Sequence, residues 1–158
     1  MSRPEQSRRV LVVGLGNPLM TDEGIGPRLI DEFKRRQGDY PEVDFHDGGT
    51  AGMSLLYVIE NRQRVVFIDC AYMGIKPGGI KKFEPADVQT TNNQPFASLH
   101  QADLLKIIVI SKQLDQCPGK ITIFGIEPEI VAPGQKISEP LQNKLGCYIK
   151  EISAEIRD

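Results

Sequence analysis

Three things are scarce in this chain of 158 residues: a surplus of one charge, long apolar runs and paired cysteines. Nineteen Lys and Arg stand against 21 Asp and Glu, a net charge of −2. That balance leaves no basic excess to recruit nucleic acid through its phosphates. The longest apolar runs, such as residues 107–110, are far below the roughly 20 residues that a bilayer-spanning helix needs. Residues 1–9 are polar and the stretch 10–13 is too brief for a signal-peptide core. The chain is therefore expected in the cytoplasm, without a membrane or nucleic-acid partner. Cys70, Cys117 and Cys147 form no CxxC pair and fit reduced thiols. No repeat and no linker is visible, so residues 1–158 are expected to form a single domain in which 1–8 is a flexible tail.

What is present is alternation. An apolar run predicts a strand over 9–15, and a helix follows over 26–37, with Pro27 in its first turn and Gly38 just past its end. A second strand is expected over 43–46, then a turn at Asp47-Gly48-Gly49 and a helix capped by Thr50 that carries Met53, Leu56 and Ile59 inward. The third strand, 65–69, is apolar throughout and should be central. Lys76-Pro77-Gly78-Gly79 is strong turn chemistry. It predicts a short strand over 80–83, joined to the third like a hairpin and running antiparallel to it. Residues 84–97 are polar, rich in Asn and Gln, and read as a long loop. Ser98-Leu99-His100-Gln101 matches a capping box, with Leu104, Leu105 and Ile108 on the buried face of the next helix. A fifth strand over 121–126 and a polar loop over 127–137 lead to a last helix. Its apolar positions are Leu141, Leu145, Tyr148, Ile149, Ile152 and Ile156. The pattern is that of an α/β fold, a three-layer α/β/α domain around a five-stranded, mostly parallel sheet whose fourth strand is antiparallel.

The stretch VLVVGLGNPLMTDEGIG carries the functional signal. Asp22 and Glu23 stand between a buried strand and a helix, where open α/β sheets bind ligands. Paired carboxylates there repel a phosphate but suit a metal or a protonated nucleophile. Right-handed crossovers place strands two and three on either side of strand one. The order reverses between strands one and three, and this opens a crevice at their carboxyl ends. Glu23 follows the first strand, Asp69 ends the third, and His100 is expected in the first turn of a helix that starts at the same edge. The trio should therefore meet. A helix N-terminus disfavours imidazolium, so His100 is expected to be neutral and able to ligate. Its nitrogen and two carboxylates make a mixed set suited to Ni²⁺, Zn²⁺ or a similar ion, with coordination positions left open. Each residue alone has a plainer use: Glu23 as a dipole partner, Asp69 as an acceptor for loop amides, His100 as a structural group. His46, inside a predicted strand, is read as structural or surface-exposed. Because His100 and Asp69 are expected at element ends facing a crevice, replacing them should cost little stability.

GLGNPLMTDEGIG, DGGTAG, FIDC and SLHQADLL, in this order and at this spacing, resemble the hydrogenase maturation proteases. The resemblance runs from Val10 to the last helix. It implies an endopeptidase that removes a C-terminal extension from a nickel–iron hydrogenase large-subunit precursor after nickel insertion. It also implies that Glu23, Asp69 and His100 are the metal-binding and catalytic trio, and that Asp47, Gly48, Gly49 and Thr50 help recognise the precursor. The nickel is expected to be borne by the substrate rather than bound permanently, and the fourth strand to be antiparallel.

Rival readings are weaker. GLGNP also opens the peptidyl-tRNA hydrolases, but the histidine and asparagine they need soon afterwards are replaced here by TDEGIGPR. A dinucleotide fold would need a third glycine where Leu19 stands. Catalysis by Cys70 with His100 conflicts with the habit of cysteines at the ends of apolar strands to be small buried hydrophobes. A non-catalytic nickel chaperone built on the same trio is the main alternative, since ligands alone do not cut peptides.

Overall fold

The computed structural model describes residues 8–50, 52–89 and 95–157. Side chains of a strand point alternately to its two faces, and here the apolar runs use that to build two cores. β1 (Val10–Leu15) sends Leu11, Val13 and Leu15 to one side and Val12 to the other. β3 (Arg64–Cys70) divides Val65 and Phe67 from Val66, Ile68 and Cys70, and β5 (Lys120–Ile126) divides Ile121 and Ile123 from Phe124 and Ile126. The first core is closed by α2 (Leu55–Ile59), α3 (Pro85–Gln89) and α4 (Gln101–Gln113). The second is closed by α1 (Ile25–Arg35), α5 (Glu139–Gln142) and α6 (Leu145–Ile156).

With β2 (Val43–Gly49) and β4 (Ile80–Phe83), the sheet has the order β2-β1-β3-β5-β4. All neighbours are parallel except β4, which is antiparallel to β5. The expected hairpin between the third and fourth strands therefore does not form. β5 is buried over all but its first residue and takes the inner place beside β3, while Lys81 and Lys82 are exposed and suit β4 to the edge.

Other elements differ from the pattern in smaller ways. The Asp47-Gly48-Gly49 segment is the end of β2 rather than a free turn, and the register steps from Gly14 opposite Asp47 to Leu15 opposite Gly49. Gly48 is the extra residue of that bulge and lies over the Val13 and Leu15 side chains, where a Cβ would collide. The helix expected from Thr50 starts only at Leu55, after turn bonds from Leu55 N to Gly52 O and Leu56 N to Met53 O. Leu56 and Ile59 are buried as expected, whereas Met53 is half exposed. Part of the polar 84–97 segment is helical, as α3; its stretch 90–94 lies outside the described residues. The last helix is broken at Asn143-Lys144 into α5 and α6, yet every apolar position expected to face inward is buried or packed against the core. The expected tail lies outside the described residues except Arg8, which is held: its N–H donates to Asp44 Oδ2 (3.1 Å) and its guanidinium to the Val43 carbonyl. No helix among the described residues is long and apolar enough to cross a membrane. The three cysteines are free thiols.

Glu155 is a buried charge that helical spacing did not single out. Its carboxylate accepts from Thr122 Oγ (2.8 Å) and pairs with Lys82 (3.2 Å) and Lys120 (3.3 Å). Burial pushes this carboxyl up, but the bonds from Thr122, Lys82 and Lys120 outweigh burial and hold it below its ordinary value. A depressed carboxyl pKa stabilises the fold above the unfolded value, and the contribution is lost as pH falls through the folded one. Glu155→Gln is thus expected to lower unfolding free energy at pH 7 by about 1–2 kcal/mol, the lysines being largely solvated. The gap to wild type should close in acid, below the ordinary glutamate value of 4.5. Urea titrations at neutral pH and in that acid range test this; a gap that stays constant would dissociate the effect from the charge.

Candidate active site

The chain leaves β1 through Gly16, whose φ is +139° and whose missing Cβ would overlap the Glu23 carbonyl oxygen. Only glycine allows the 3-10 turn Thr21–Gly24 to fold back so closely over the strand end. Gly16 N also donates to Gly49 O (2.7 Å), which ties the first motif to the end of β2. In that second motif Gly49 stands at φ +57° and donates its N–H to Asp47 Oδ1 (2.9 Å). Asp47 and Thr50 are exposed, with Gly48 and Gly49 half-buried between them.

The two adjacent carboxylates of the turn take opposite tasks. Asp22 is fully buried and points away from the crevice into the loop that follows β5. Glu23 points toward Asp69 and His100. Asp69 occupies the last turn of the β3 ladder, opposite Gly125, and is fully buried. His100 is the residue immediately before α4 rather than part of its first turn. The expected capping box is displaced as well: Ser98 Oγ accepts the N–H of His100 (3.2 Å), and the Gln101 amide reaches the Val88 carbonyl instead (2.9 Å).

The trio meets as a chain with the imidazole in the middle. His100 Nδ1 lies 3.1 Å from Asp69 Oδ1, and Nε2 lies 3.3 Å from Glu23 Oε1. All three side chains are buried. Among the described residues Asp69 Oδ2 and Glu23 Oε1 are buried without a hydrogen bond, Oε1 keeping only its ion-pair contact to Nε2. Among the described residues no group of three or more His, Cys, Asp or Glu has its donors gathered as metal ligands. Here each ring nitrogen faces a different carboxylate.

Electrostatics correct one expectation. The hydrogen bond from Nδ1 to Asp69 raises the imidazole above its ordinary value despite burial, so His100 holds its proton more readily than expected. Burial likewise raises Glu23, partly offset by His100. Two mutually repelling carboxylates around one imidazole favour a shared positive charge, whether a proton or a metal cation.

Beside Glu23 opens a crevice of about 200 Å³ lined by Cys70, Tyr72, Ala97, Ser98, Leu99 and Val131. Its apolar rim is unusually exposed, Tyr72 at 56% and Leu99 at 76%, as at surfaces that receive a partner. Its walls are fixed by backbone bonds between Tyr72 and Ala97 and by Glu127, whose Oε1 accepts the N–H groups of Met73 (2.7 Å) and Ile75 (3.1 Å). Neither Glu127 nor the role of Asp22 was legible in the sequence, because the amides they bind come from distant loops.

Cys70 follows Asp69 on β3 and so turns to the opposite core. Burial, together with Asp69 and Glu23, pushes its thiol far above the ordinary range, which suppresses the thiolate that nucleophilic attack needs. Cys70→Ser is expected to retain at least a tenth or so of wild-type turnover, an effect of about 1.4 kcal/mol or less. Complete loss of turnover in a folded Cys70→Ser would restore the cysteine-nucleophile reading. His46, on the edge strand β2, is half-buried, and burial lowers its pKa.

A model of the family described as hydrogenase maturation protease matches residues 27–155, a span that includes Asp69 and His100 and begins after Glu23. The hydrogenase expression/formation protein HupD of Bradyrhizobium diazoefficiens is 31% identical over 150 residues, covering 94% of this chain and 78% of that protein. The hydrogenase 2 maturation protease of Escherichia coli is 29% identical over 157 residues, covering 95% and 92%. Among solved structures, the hydrogenase maturating endopeptidase HybD from E. coli superposes with a TM-score of 0.81 at 27% identity, covering 94% of this chain and 92% of that one.

Proposed function

The chain belongs to the hydrogenase maturation proteases, and on that footing we propose that it is a cytoplasmic endopeptidase removing the C-terminal extension of a nickel–iron hydrogenase large-subunit precursor once nickel is in place. The observation that carries the site is a pair of buried carboxylates either side of His100 that lack full hydrogen-bond partners: Asp69 Oδ2 has none, and Glu23 Oε1 meets only the long 3.3 Å contact to Nε2. Buried acceptors without donors are costly unless a cation or donor completes them. Nickel arriving on the precursor supplies that charge.

Each residue then has a task. Asp69 accepts the Nδ1 proton of His100, which fixes the ring and aims Nε2 at Glu23. Nε2 and the Glu23 carboxylate face each other at 3.3 Å, so either can meet the substrate's metal once it displaces the proton that Asp69 encourages His100 to keep. A substrate-borne cation polarises the scissile carbonyl or the attacking water, and whichever carboxylate it leaves free accepts the proton of that water. Exposed Asp47 and Thr50, with half-buried Gly48 and Gly49 between them, stand at the same sheet edge and form the recognition surface for the precursor.

Mass spectrometry of a nickel-loaded precursor before and after treatment is the direct test. Loss of a C-terminal fragment supports the reading. Unchanged precursor mass with nickel transferred to this protein would make it a chaperone instead.

A further inference from the structure

The loop from β5 to α5 has no regular structure, yet it is bound along its length to two residues of the first motif. Asp22 accepts hydrogen bonds from Glu129 N (2.8 Å), Ile130 N (3.0 Å), Ser138 N (2.6 Å) and Ser138 Oγ (2.7 Å). Its own N–H donates to Ile130 O (3.2 Å). Thr21 adds N–H to Gly134 O (2.8 Å), Oγ1 to Ile130 O (2.7 Å) and acceptance from Ala132 N (3.1 Å). Thr21 holds φ at +47°, a conformation that strains a β-branched residue and persists only where its surroundings over-determine it. The same loop contributes Val131, a wall of the crevice that Glu23 lines from the next position in the chain.

We infer that Asp22 is a positioning residue for the reaction. By gripping both ends of the 129–138 loop with one carboxylate, it sets the distance between Val131 and Glu23, and with it the direction in which Glu23 faces His100. This rests on the reading of Glu23, Asp69 and His100 as the processing site. Both Asp22 oxygens are used, Oδ1 by Ser138 N and Oδ2 by the other three donors. In Asp22→Asn an amide NH₂ must therefore oppose a backbone N–H, and one end of the loop is released. Ser138→Ala removes a single donor and is the gentler variant.

The experiment compares wild type, Asp22→Asn, Ser138→Ala and Tyr40→Phe. The last loses a buried hydrogen bond to Ser153 (2.6 Å) away from the crevice and serves as the control for stability alone. Two quantities are measured: kcat and KM on the nickel-loaded precursor, and the alkylation rate of Cys70 relative to exposed Cys147. Cys70 is the buried thiol behind Val131 and reports on that wall whatever the activity. Asp22→Asn is expected to lower kcat by up to about 100-fold, the effect of misplacing a reacting group by an ångström, with a smaller change in KM and faster Cys70 alkylation. Ser138→Ala should move both in the same direction by less. Tyr40→Phe should lower melting temperature and leave both unchanged. An Asp22→Asn that melts earlier but matches Tyr40→Phe in kcat and alkylation overturns the inference. If wild type itself cuts no precursor, the functional reading fails and alkylation alone decides the latch: an unchanged Cys70 rate in Asp22→Asn overturns it, and a faster one supports it.

Discussion

His100→Ala is expected to end processing of the nickel-loaded precursor while the chain remains folded. The imidazole touches both carboxylates, at 3.1 Å from Asp69 and 3.3 Å from Glu23. Under the proposed function its removal takes away a metal ligand and a proton carrier together, and loss of general acid–base help alone is worth about 10²–10⁴-fold in rate. The stability cost is larger than the sequence suggested, because these side chains are buried rather than merely crevice-facing. Each carboxylate left without its partner costs about 1–3 kcal/mol, within the roughly 5–15 kcal/mol that holds such a domain together. Asp69→Asn keeps the shape and one acceptor for Nδ1–H but removes the charge that supports the ring, and should also abolish turnover. Circular dichroism checks the fold and mass spectrometry the product. A folded His100→Ala that still shortens the precursor at wild-type rate would move the chemistry away from this trio altogether.

The second large effect concerns the substrate's metal. Nickel-free precursor should go uncut even at excess enzyme, while the matched nickel-loaded precursor is processed. The physical ground is the chain-like placement of the trio, which leaves Glu23 Oε1 and Asp69 Oδ2 without hydrogen bonds, Oε1 having only its 3.3 Å contact to His100, and gathers no ready-made ligand set among the described residues. A docked precursor without its cation would seal those two oxygens away from water, at a cost of a few kcal/mol. A cation carried in by the precursor's own thiolates would remove that cost and draw the side chains round it, so selectivity would follow from the charge. The comparison is run with chelator present, so that free metal cannot load the enzyme. Equal cleavage of both precursors would rule out recognition of substrate-borne metal and leave a resident ion or a metal-free reaction.

Most of the layer architecture was legible in the chain, because burial on both faces of a central strand demands a continuous apolar run. β1, β3 and β5 are such runs. Helical spacing likewise marked the inward positions of α4 and α6, since a 3.6-residue repeat against a flat sheet admits few other solutions. The convergence of Glu23, Asp69 and His100 at one sheet edge also followed from strand order and handedness, both set by local chirality.

What only the tertiary structure decided depends on which distant groups arrive. The antiparallel sense of β4 was written in a short turn-rich connection, but its neighbour was not, because β5 comes from 37 positions beyond the end of β4 and takes the inner slot by burial (residue 83 to residue 120). Asp22 and Glu23 look alike in sequence; one became a clamp and the other a crevice group because loop amides from residues 129–138 meet only the first. The charge preference of His100 depends on distance in the same way. A helix end acts through partial charges and is visible locally, whereas the full charge of Asp69 at 3.1 Å is delivered by another strand and raises the imidazole.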